Sequence, residues 1–323
     1  MTTKEKLAQL LEENGEGYIS GSAIAEKLGI TRAGIWKNIH QLEEDGYIIE
    51  AVTNRGYRLA EDNDVVSLPA VKKYLEGGED ENIEVYPEVS STNDVLKGKA
   101  AGANEWHTII AGRQSAGKGR KGRSFYSPSG SGLYMSVVQH PDVPAEMATR
   151  ITTAAAVATC RAIEECTDAK PEIKWVNDVF VDGRKVCGIL TEASFNMENG
   201  LLDWAVMGIG FNVYEPEGGF PEEIRDIAGP ITKKRQKNLR CRLAICFRNE
   251  FINICQDLAG AKFADEYRKR CFLLGKKINV LKMEGPVPAK AIDVDDECRL
   301  IVRYNDGLEE ALSSGEVSVR AVD

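Results

Sequence analysis

The side chains best equipped for chemistry are concentrated in Gly112–Arg123, which holds five Lys/Arg, four glycines and no acid. Glycines let a backbone approach a ligand closely and take positive φ. The cations supply charge for a phosphate or a developing oxyanion. On spacing alone, the segment fits a phosphate-binding loop, a solvated basic loop or a nucleic-acid patch. Gly117-x-Gly119-x-x-Gly122 matches the dinucleotide fingerprint, but that fingerprint must open a helix. Here Ser124-Phe-Tyr-Ser-Pro128 follows, with a proline and no helical period, so the dinucleotide assignment is rejected. A second concentration of charge lies near the N-terminus. Residues 1–60 carry seven Lys/Arg against nine Asp/Glu, yet Thr31–Leu42 and Ala51–Leu59 contain no acid. The first includes Arg32 and Lys37, the second Arg55 and Arg58. A local positive face in an acidic unit is a footprint for DNA, and packing or protein contact is the alternative.

The elements that must position these groups follow from periodicity. Leu7, Leu10 and Leu11 share a helical face, a short helix spans about Ser22–Leu28 and stops at Gly29, and Thr31 can cap a third. In that third helix Ile35, Ile39 and Leu42 face inward, leaving Thr31, Arg32, Ala33, Trp36 and Lys37 near its start or on its outer face. Strands at Tyr47–Glu50 and Gly56–Leu59 flank the Thr53–Gly56 turn. The order predicts a winged helix-turn-helix over 1–62, with Ser22, Thr31, Arg32, Ala33, Trp36, Lys37 and Arg55 as DNA-contact candidates. The acidic Glu61–Asp64 stretch has no period and fits a linker.

Residues 67–272 have a mixed pattern. A helix begins near Ser91, where Ser91-x-x-Asp94 fits a capping box. Strands are predicted at Thr108–Ala111 and Leu133–Val138, and a long Ala-rich helix at Met147–Cys166. Strand-like runs at Ile173–Val181, Lys185–Ala193 and Leu201–Val213 are separated by Asp182-Gly183 and Asn199-Gly200, both hairpin signals. Adjacent hairpins predict an antiparallel or mixed sheet, hence an α+β class and not a doubly wound fold. Helices return at about Lys237–Leu258 and Ala261–Cys271. Residues 275–323 predict short strands (Lys277–Met283, Ala289–Val294, Leu300–Tyr304, Glu316–Arg320) of a small β-barrel.

The bulk composition limits the function classes. A chain of 323 residues is long for one core and predicts two or three domains. At 43% apolar and 28% charged residues it has no disordered or fibrous bias. A net charge of −9 excludes a molecule coated in positive charge, so any nucleic-acid contact must be local. Eight cysteines without a C-x-x-C pair, and only three histidines, disfavour a structural zinc site or a disulfide framework. Reduced thiols are expected, and the charged, amphipathic start does not have the form of a signal peptide. No apolar run reaches the roughly 18 residues of a membrane span.

The run GRQSAGKGRKGRSFYSPSGSGLYMS resembles the signature loop of biotin–protein ligases. Ser91-Thr92-Asn93, Lys174-Trp-Val-Asn-Asp178, Gly183-Arg-Lys-Val-Cys-Gly-Ile-Leu190, Gly208-Ile-Gly-Phe-Asn212 and Gly315-Glu-Val-Ser-Val-Arg320 resemble further motifs of that family, in family order. With the winged helix, the resemblance spans nearly the whole chain and points to the bifunctional ligases that also repress biotin genes. It implies a class II synthetase-like central domain and a C-terminal SH3-like barrel. It also implies two half-reactions: ATP and biotin form biotinyl-5′-AMP, and a lysine of an acceptor domain then takes the biotin.

The resemblance implies the following roles. Lys185 and Arg120 are catalytic, Lys185 facing the biotin carboxylate and α-phosphate; alone, Lys185 would be an exposed hairpin lysine. Ser91, Thr92, Asn93, Gln114, Lys118, Gly119, Arg120 and Lys185 bind biotin or its adenylate, because a buried ureido ring needs neutral partners and the phosphate needs cations. Capping and loop roles remain open for Ser91 and Gln114. Asn177 and Asn212 are candidate adenylate or Mg²⁺ contacts; Asp178 is a further candidate for the metal or for loop ordering, and the metal ligands themselves are left unassigned. Trp175 is expected in the core, and Lys121 is expected to be solvated. ATP with Mg²⁺ and biotin are the co-substrates, with no tightly bound metal. The implied partners are the carrier domain of acetyl-CoA carboxylase, that of pyruvate carboxylase, operator DNA and a second copy of the chain in the adenylate-bound state. Membrane contact is not expected, and a cytoplasmic location is. The chain departs from the family at Val176, where proline is usual, and at Lys118, where arginine is common. The alternatives are a biotin-responsive winged-helix transcription factor with little ligase activity, and a ligase for another acid such as lipoate.

Overall fold

The computed structural model describes residues 1–77, 80–282, 285–313 and 317–319. The N-terminal unit has its own core. Helices α1 (Thr3–Glu13), α2 (Gly21–Leu28) and α3 (Arg32–Glu44) each start at a hydroxyl cap, Thr2, Ser20 and Thr31, and Thr2 closes a capping box with Glu5. Leu7, Leu11, Ile24, Ile35, Ile39 and Leu42 meet between them. Strands β1 (Ile49–Val52) and β2 (Gly56–Leu59) form the wing, with Ile49 opposite Leu59. β1 begins two residues later than predicted because Tyr47 N–H still closes onto the α3 carbonyl of Leu42 at 3.0 Å. A Cβ on Gly56 would lie 2.0 Å from the Ile19 carbonyl oxygen, so the wing root requires glycine.

The predicted linker is only partly one. Glu61 and Asp62 are exposed, but Asn63 and Asp64 are buried. Asn63 Oδ1 accepts from Ile48 N–H at 3.0 Å, and Asp64 is ion-paired with Arg240 at 3.2 Å and accepts from the Tyr214 hydroxyl at 2.7 Å. The partners of Asp64 lie 150 or more residues away, beyond the reach of local pattern.

The central unit contains α4 (Leu68–Lys72), β3 (Ile83–Tyr86), α5 (Thr92–Lys97), β4 (Thr108–Ala111), β5 (Gly132–Gln139), α6 (Ala148–Cys166), β6 (Glu172–Lys174), β7 (Asp178–Val181), β8 (Arg184–Phe195), β9 (Leu202–Asn212), α7 (Leu239–Cys255) and α8 (Ala264–Arg270). Its seven strands are ordered β3-β4-β5-β9-β8-β7-β6, with β3–β4 parallel and the other pairs antiparallel, giving the mixed sheet of an α+β fold. Asp182 and Gly183 take φ 50° and 73°, as a tight β7–β8 hairpin requires. α6 and α7 bury the main core against one face, and α5 covers the other with Leu96 on Ile109, Val138 and Val206.

The C-terminal unit is an antiparallel sheet of β10 (Lys277–Lys282), β11 (Gly285–Val294), β12 (Leu300–Tyr304), β13 (Glu309–Leu312) and β14 (Val317–Val319), ordered β13-β12-β11-β10-β14. Its apolar face joins the main core, and the Trp175 indole donates to the Cys298 carbonyl at 2.9 Å. Trp175 is thus a buried core residue, as expected. Met283, Gly315, Glu316 and Arg320, which belong to predicted strands or motifs there, lie outside the described residues. No described helix is long and apolar enough to cross a membrane.

Candidate functional site

The glycine-rich basic segment folds as a finger at the mouth of a cavity of about 320 Å³. Its root is tied down by Ser115 N–H to the Val89 carbonyl (3.0 Å) and Ala116 N–H to the Ser90 carbonyl (2.8 Å). Its two arms join through Phe125 N–H to Gly117 O (2.8 Å) and Gly119 N–H to Arg123 O (2.7 Å). The tip turns at Lys121 and Gly122, with φ 56° and 74°. No helix follows, which removes the dinucleotide fingerprint on structural grounds too.

Five cations line this cavity: Lys118, Arg120 and Arg123 from the finger, Lys174 from β6 and Lys185 from β8. Lys185 is aimed by a β-bulge. Asp178 pairs with Gly188 and Val179 with Cys187, but Phe180 pairs with Lys185, leaving Val186 as the extra residue. The shift puts Lys185 on the face of Gly188, and its Nζ would lie 3.3 Å from a Cβ there. Three of these cations are held by a neighbour across the cavity mouth. Lys185 meets Asp178 at 2.6 Å, Lys118 meets Asp94 at 2.7 Å, and Arg120 donates to Asn177 Oδ1 at 2.9 Å. The Lys118 ammonium, aided by Lys97, holds the Asp94 carboxyl below its usual range against the opposing effect of burial.

The opposite wall is neutral. Ser91, Thr92, Asn93 and Gln114 all line the cavity. Ser91 also caps α5, but the capping box is one-sided: Ser91 Oγ accepts from Asp94 N–H at 3.5 Å, while the Asp94 carboxylate turns to Lys97 and Lys118. Gln114 Oε1 accepts from Thr92 N–H at 2.8 Å, and its amide nitrogen donates to Ser127 Oγ at 3.1 Å, which fixes its orientation. Asn177, besides receiving Arg120, donates to the Ile189 carbonyl at 2.8 Å. Asn212 does not join them. Its amide donates to the Lys185 carbonyl at 3.3 Å, steadying the strand behind the lysine rather than lining the cavity. Gly119 lines the cavity beside them.

The floor was not predicted. Gly188 and Gly210 are directly opposite on β8 and β9, and the Phe125 ring lies over them. A Cβ on Gly210 would come 2.4 Å from that ring, and one on Gly188 would come 3.1 Å from it. Glycines inside strands, with no turn to explain them, are the signal that something approaches the backbone closely. Leu281, Val317 and Ser318 of the C-terminal sheet close one side. Among the described residues no group of three or more His, Cys, Asp or Glu could hold a metal by itself.

The DNA-contact candidates are all exposed on the N-terminal unit. Thr31 accepts from Gly34 N–H at 3.1 Å as the α3 cap, and Arg32, Ala33 and Lys37 are exposed. Trp36 is 67% exposed and stacks on His40. Ser22 is exposed beside Ser20, and Arg55, on the wing, lies over the Tyr18 ring at 4.4 Å. Arg58 is committed to Glu50 at 2.8 Å.

Residues 85–212 match the Biotin/lipoate A/B protein ligase family, 3–58 an HTH domain and 273–320 the Biotin protein ligase C terminal domain. The chain is 31% identical to the Escherichia coli protein named bifunctional ligase/repressor BirA over 327 residues, covering 100% of this chain and 98% of that one. It is 29% identical to the protein of the same name from Bacillus subtilis, covering 97% and 98%. Among solved structures, the biotin protein ligase of Aquifex aeolicus in complex with biotin and ATP superposes with a TM-score of 0.61 at 26% identity, over 75% of this chain and 100% of that one.

Proposed function

The chain belongs to the biotin/lipoate protein ligase family, in its bifunctional ligase/repressor branch, and from that premise we propose that it activates biotin with ATP, transfers it to a protein lysine, and represses biotin genes through its winged helix. The observation that carries the catalytic part is the convergence of Lys118, Arg120 and Lys185 on one cavity whose other wall is neutral. Joining a carboxylate to an α-phosphate brings two anions together, and fixed cations stabilise that crowding. Ser91, Thr92 and Gln114 take the ureido ring, because buried N–H and C=O groups need partners, and the Asn93 amide supports that wall from behind. Lys185, held by the bulge and by Asp178, faces the carboxylate and the α-phosphate. Lys118, Gly119 and Arg120 hold the phosphate of the adenylate and cover it from water. Lys118 retains charge but not the bidentate fork of an arginine.

Mg²⁺ fits the donor set as a companion of the nucleotide. Asp178 and Asn177 offer oxygen ligands at the cavity, and a hard cation that keeps its waters needs only one or two protein carboxylates beside phosphate oxygens. When bound, it neutralises phosphate charge.

The proposed division of labour assigns 1–62 to DNA, 67–272 to the chemistry and 275–323 to a small barrel that closes the cavity. The proposed acceptors are the carrier domains of acetyl-CoA carboxylase and pyruvate carboxylase, in the cytoplasm. Paired DNA half-sites require two winged helices, so the repressing form is a dimer that carries biotinyl-5′-AMP. Incubation with biotin, MgATP and a carrier domain, followed by mass measurement of the carrier, tests the ligase; an unmodified carrier overturns it. A gel-shift titration with and without biotinyl-5′-AMP tests the repressor, and equal DNA affinity removes the regulatory part.

A further inference from the structure

Behind the neutral wall runs a line of hydrogen bonds that starts at a charged group. Glu192, on β8, holds the Lys97 ammonium with one carboxylate oxygen at 2.6 Å and the Asn93 amide nitrogen with the other at 2.8 Å. The Leu190 carbonyl also accepts from that nitrogen, at 3.3 Å. Both partners are acceptors only, so the Asn93 amide has one orientation, with Oδ1 turned away from Glu192. That oxygen rests where a Cβ on Gly208 would come within 1.9 Å, and it meets Ser136 Oγ at 2.6 Å.

Ser136 is fully buried and has a single proton, which Asn93 Oδ1 must receive. Ser136 Oγ also lies 2.8 Å from Thr92 Oγ1. With its own proton committed, Ser136 can only accept there. The Thr92 hydroxyl therefore donates inward to Ser136, while Gln114 Oε1, 3.2 Å from that hydroxyl, takes the closer Thr92 N–H at 2.8 Å. Thr92 thereby turns lone pairs, not a proton, toward the cavity it lines.

We propose that Glu192 is a positioning residue for the acid substrate, setting the polarity of the Asn93–Ser136–Thr92 line so that the cavity offers acceptors to the N–H groups of a cyclic urea. The proposal rests on the biotin assignment of the site and extends it to two residues, Glu192 and Lys97, that do not line the cavity. The two carboxylate oxygens have separate tasks. A glutamine at this position has one oxygen, and the Lys97 ammonium claims it. The new NH₂ then faces the Asn93 NH₂, donor against donor, and the Asn93 amide turns over. Ser136 must then accept from Asn93 and give its proton to Thr92, which leaves the Thr92 proton free to point at the substrate.

The experiment is biotin-dependent ATP–pyrophosphate exchange with the full chain. Glu192→Gln is expected to raise the KM for biotin about ten-fold or more, the usual penalty for a mispaired buried polar group, with the KM for ATP unchanged. Adding Lys97→Met to Glu192→Gln frees the glutamine oxygen to accept from Asn93, and is expected to restore the biotin KM toward wild type. A purely structural role would make the double variant worse. An unchanged biotin KM in Glu192→Gln, or a double variant as impaired as the single one, overturns the proposal while leaving the biotin assignment standing. A wild-type chain that shows no exchange with biotin overturns the assignment and the proposal with it.

Discussion

Lys185 and Asp178 meet at 2.6 Å across β7 and β8, on the cavity side of a bulge that gives Val186 no partner. Without the extra residue, Lys185 would point to the other face of the sheet, since side chains alternate along a strand. The pair therefore presents the lysine to the cavity rather than merely decorating a hairpin. Lys185→Met is expected to slow biotin-dependent ATP–pyrophosphate exchange by roughly a hundred- to a thousand-fold, the scale of removing one preorganised charge from a transition state. The hairpin itself should survive, so the unfolding midpoint should stay near that of wild type. Exchange within a few-fold of wild type would remove Lys185 from the chemistry.

Arg120 reaches from the finger to Asn177 at 2.9 Å, and Asn177 is in turn fixed on the Ile189 carbonyl. The contact draws the finger over the cavity. Arg120→Gly is expected to release biotinyl-5′-AMP at least ten-fold faster while synthesis continues, because the cover and not the floor is lost. Stopped-flow dissociation of the adenylate measures this directly. An unchanged release rate would mean that the finger does not retain the intermediate.

These two predictions rest on residues visible in the sequence; others were not visible, for physical reasons. The finger stood out because glycines and cations without acid are rare together, and Lys185 because a hairpin signal precedes it. The bulge did not, since an extra residue within an apolar run leaves no period to break. Asn93 was assigned to the ligand, but its amide is spent on Glu192, Leu190 and Ser136, which lie 43 or more residues away in the chain. Phe125 sits in the aperiodic Ser124–Pro128 stretch, and only the strand glycines 188 and 210 hint at a ring above them. Strands β3 and β13 and helix α4 are four or five residues long, too short for periodicity to resolve. Asp64 passed for a linker acid because its partner, Arg240, is distant in sequence.

A buried carboxylate joins the two N-terminal units. Glu12 of α1 accepts from the Asn238 amide at 2.6 Å. Burial pushes its carboxyl up, against the opposing effects of the Asn238 hydrogen bond and of Lys73 and Lys237. The folded-state value lies above the unfolded one, so the folded chain holds the proton more tightly. Stability then falls as pH rises from the ordinary carboxylate range through the raised value, and returns on acidification. Glu12→Gln keeps an acceptor for Asn238 and removes this dependence. Urea unfolding from about pH 4 to about pH 8 should give a flatter profile for the variant, which should be at least as stable as wild type at neutral pH. A variant less stable at neutral pH would mean that the charge itself holds the joint.

On the DNA face, Arg32 and Lys37 project from α3 without a carboxylate on the same stretch of helix. Replacing either with alanine should weaken DNA binding across sequences and lower the slope of log affinity against log salt by about 1, the signature of one lost phosphate contact. Trp36, exposed and stacked on His40, is the proposed base contact, so Trp36→Ala should reduce discrimination between DNA sequences with little change in salt slope. Fluorescence anisotropy at several salt concentrations separates the two effects.

Arg240 connects these two activities in space. It pairs with Asp64, where the winged helix enters the central unit, and donates to the Gly132 carbonyl at 3.0 Å, where β5 begins. Four residues along β5 is Ser136, the buried hydroxyl behind the neutral wall. Both side chains of the pair are almost wholly buried, so removing one leaves an uncompensated charge in a low dielectric. Arg240→Met should therefore destabilise the chain by about 3–5 kcal/mol, and Asp64→Asn by less, because the amide still accepts from Tyr214. Replacing both partners together, Arg240→Met with Asp64→Leu, should recover part of the loss, since no charge is then stranded. Denaturant unfolding of the set measures this, and a double variant no better than Arg240→Met alone would show that the arginine acts through the Gly132 carbonyl and not through the ion pair.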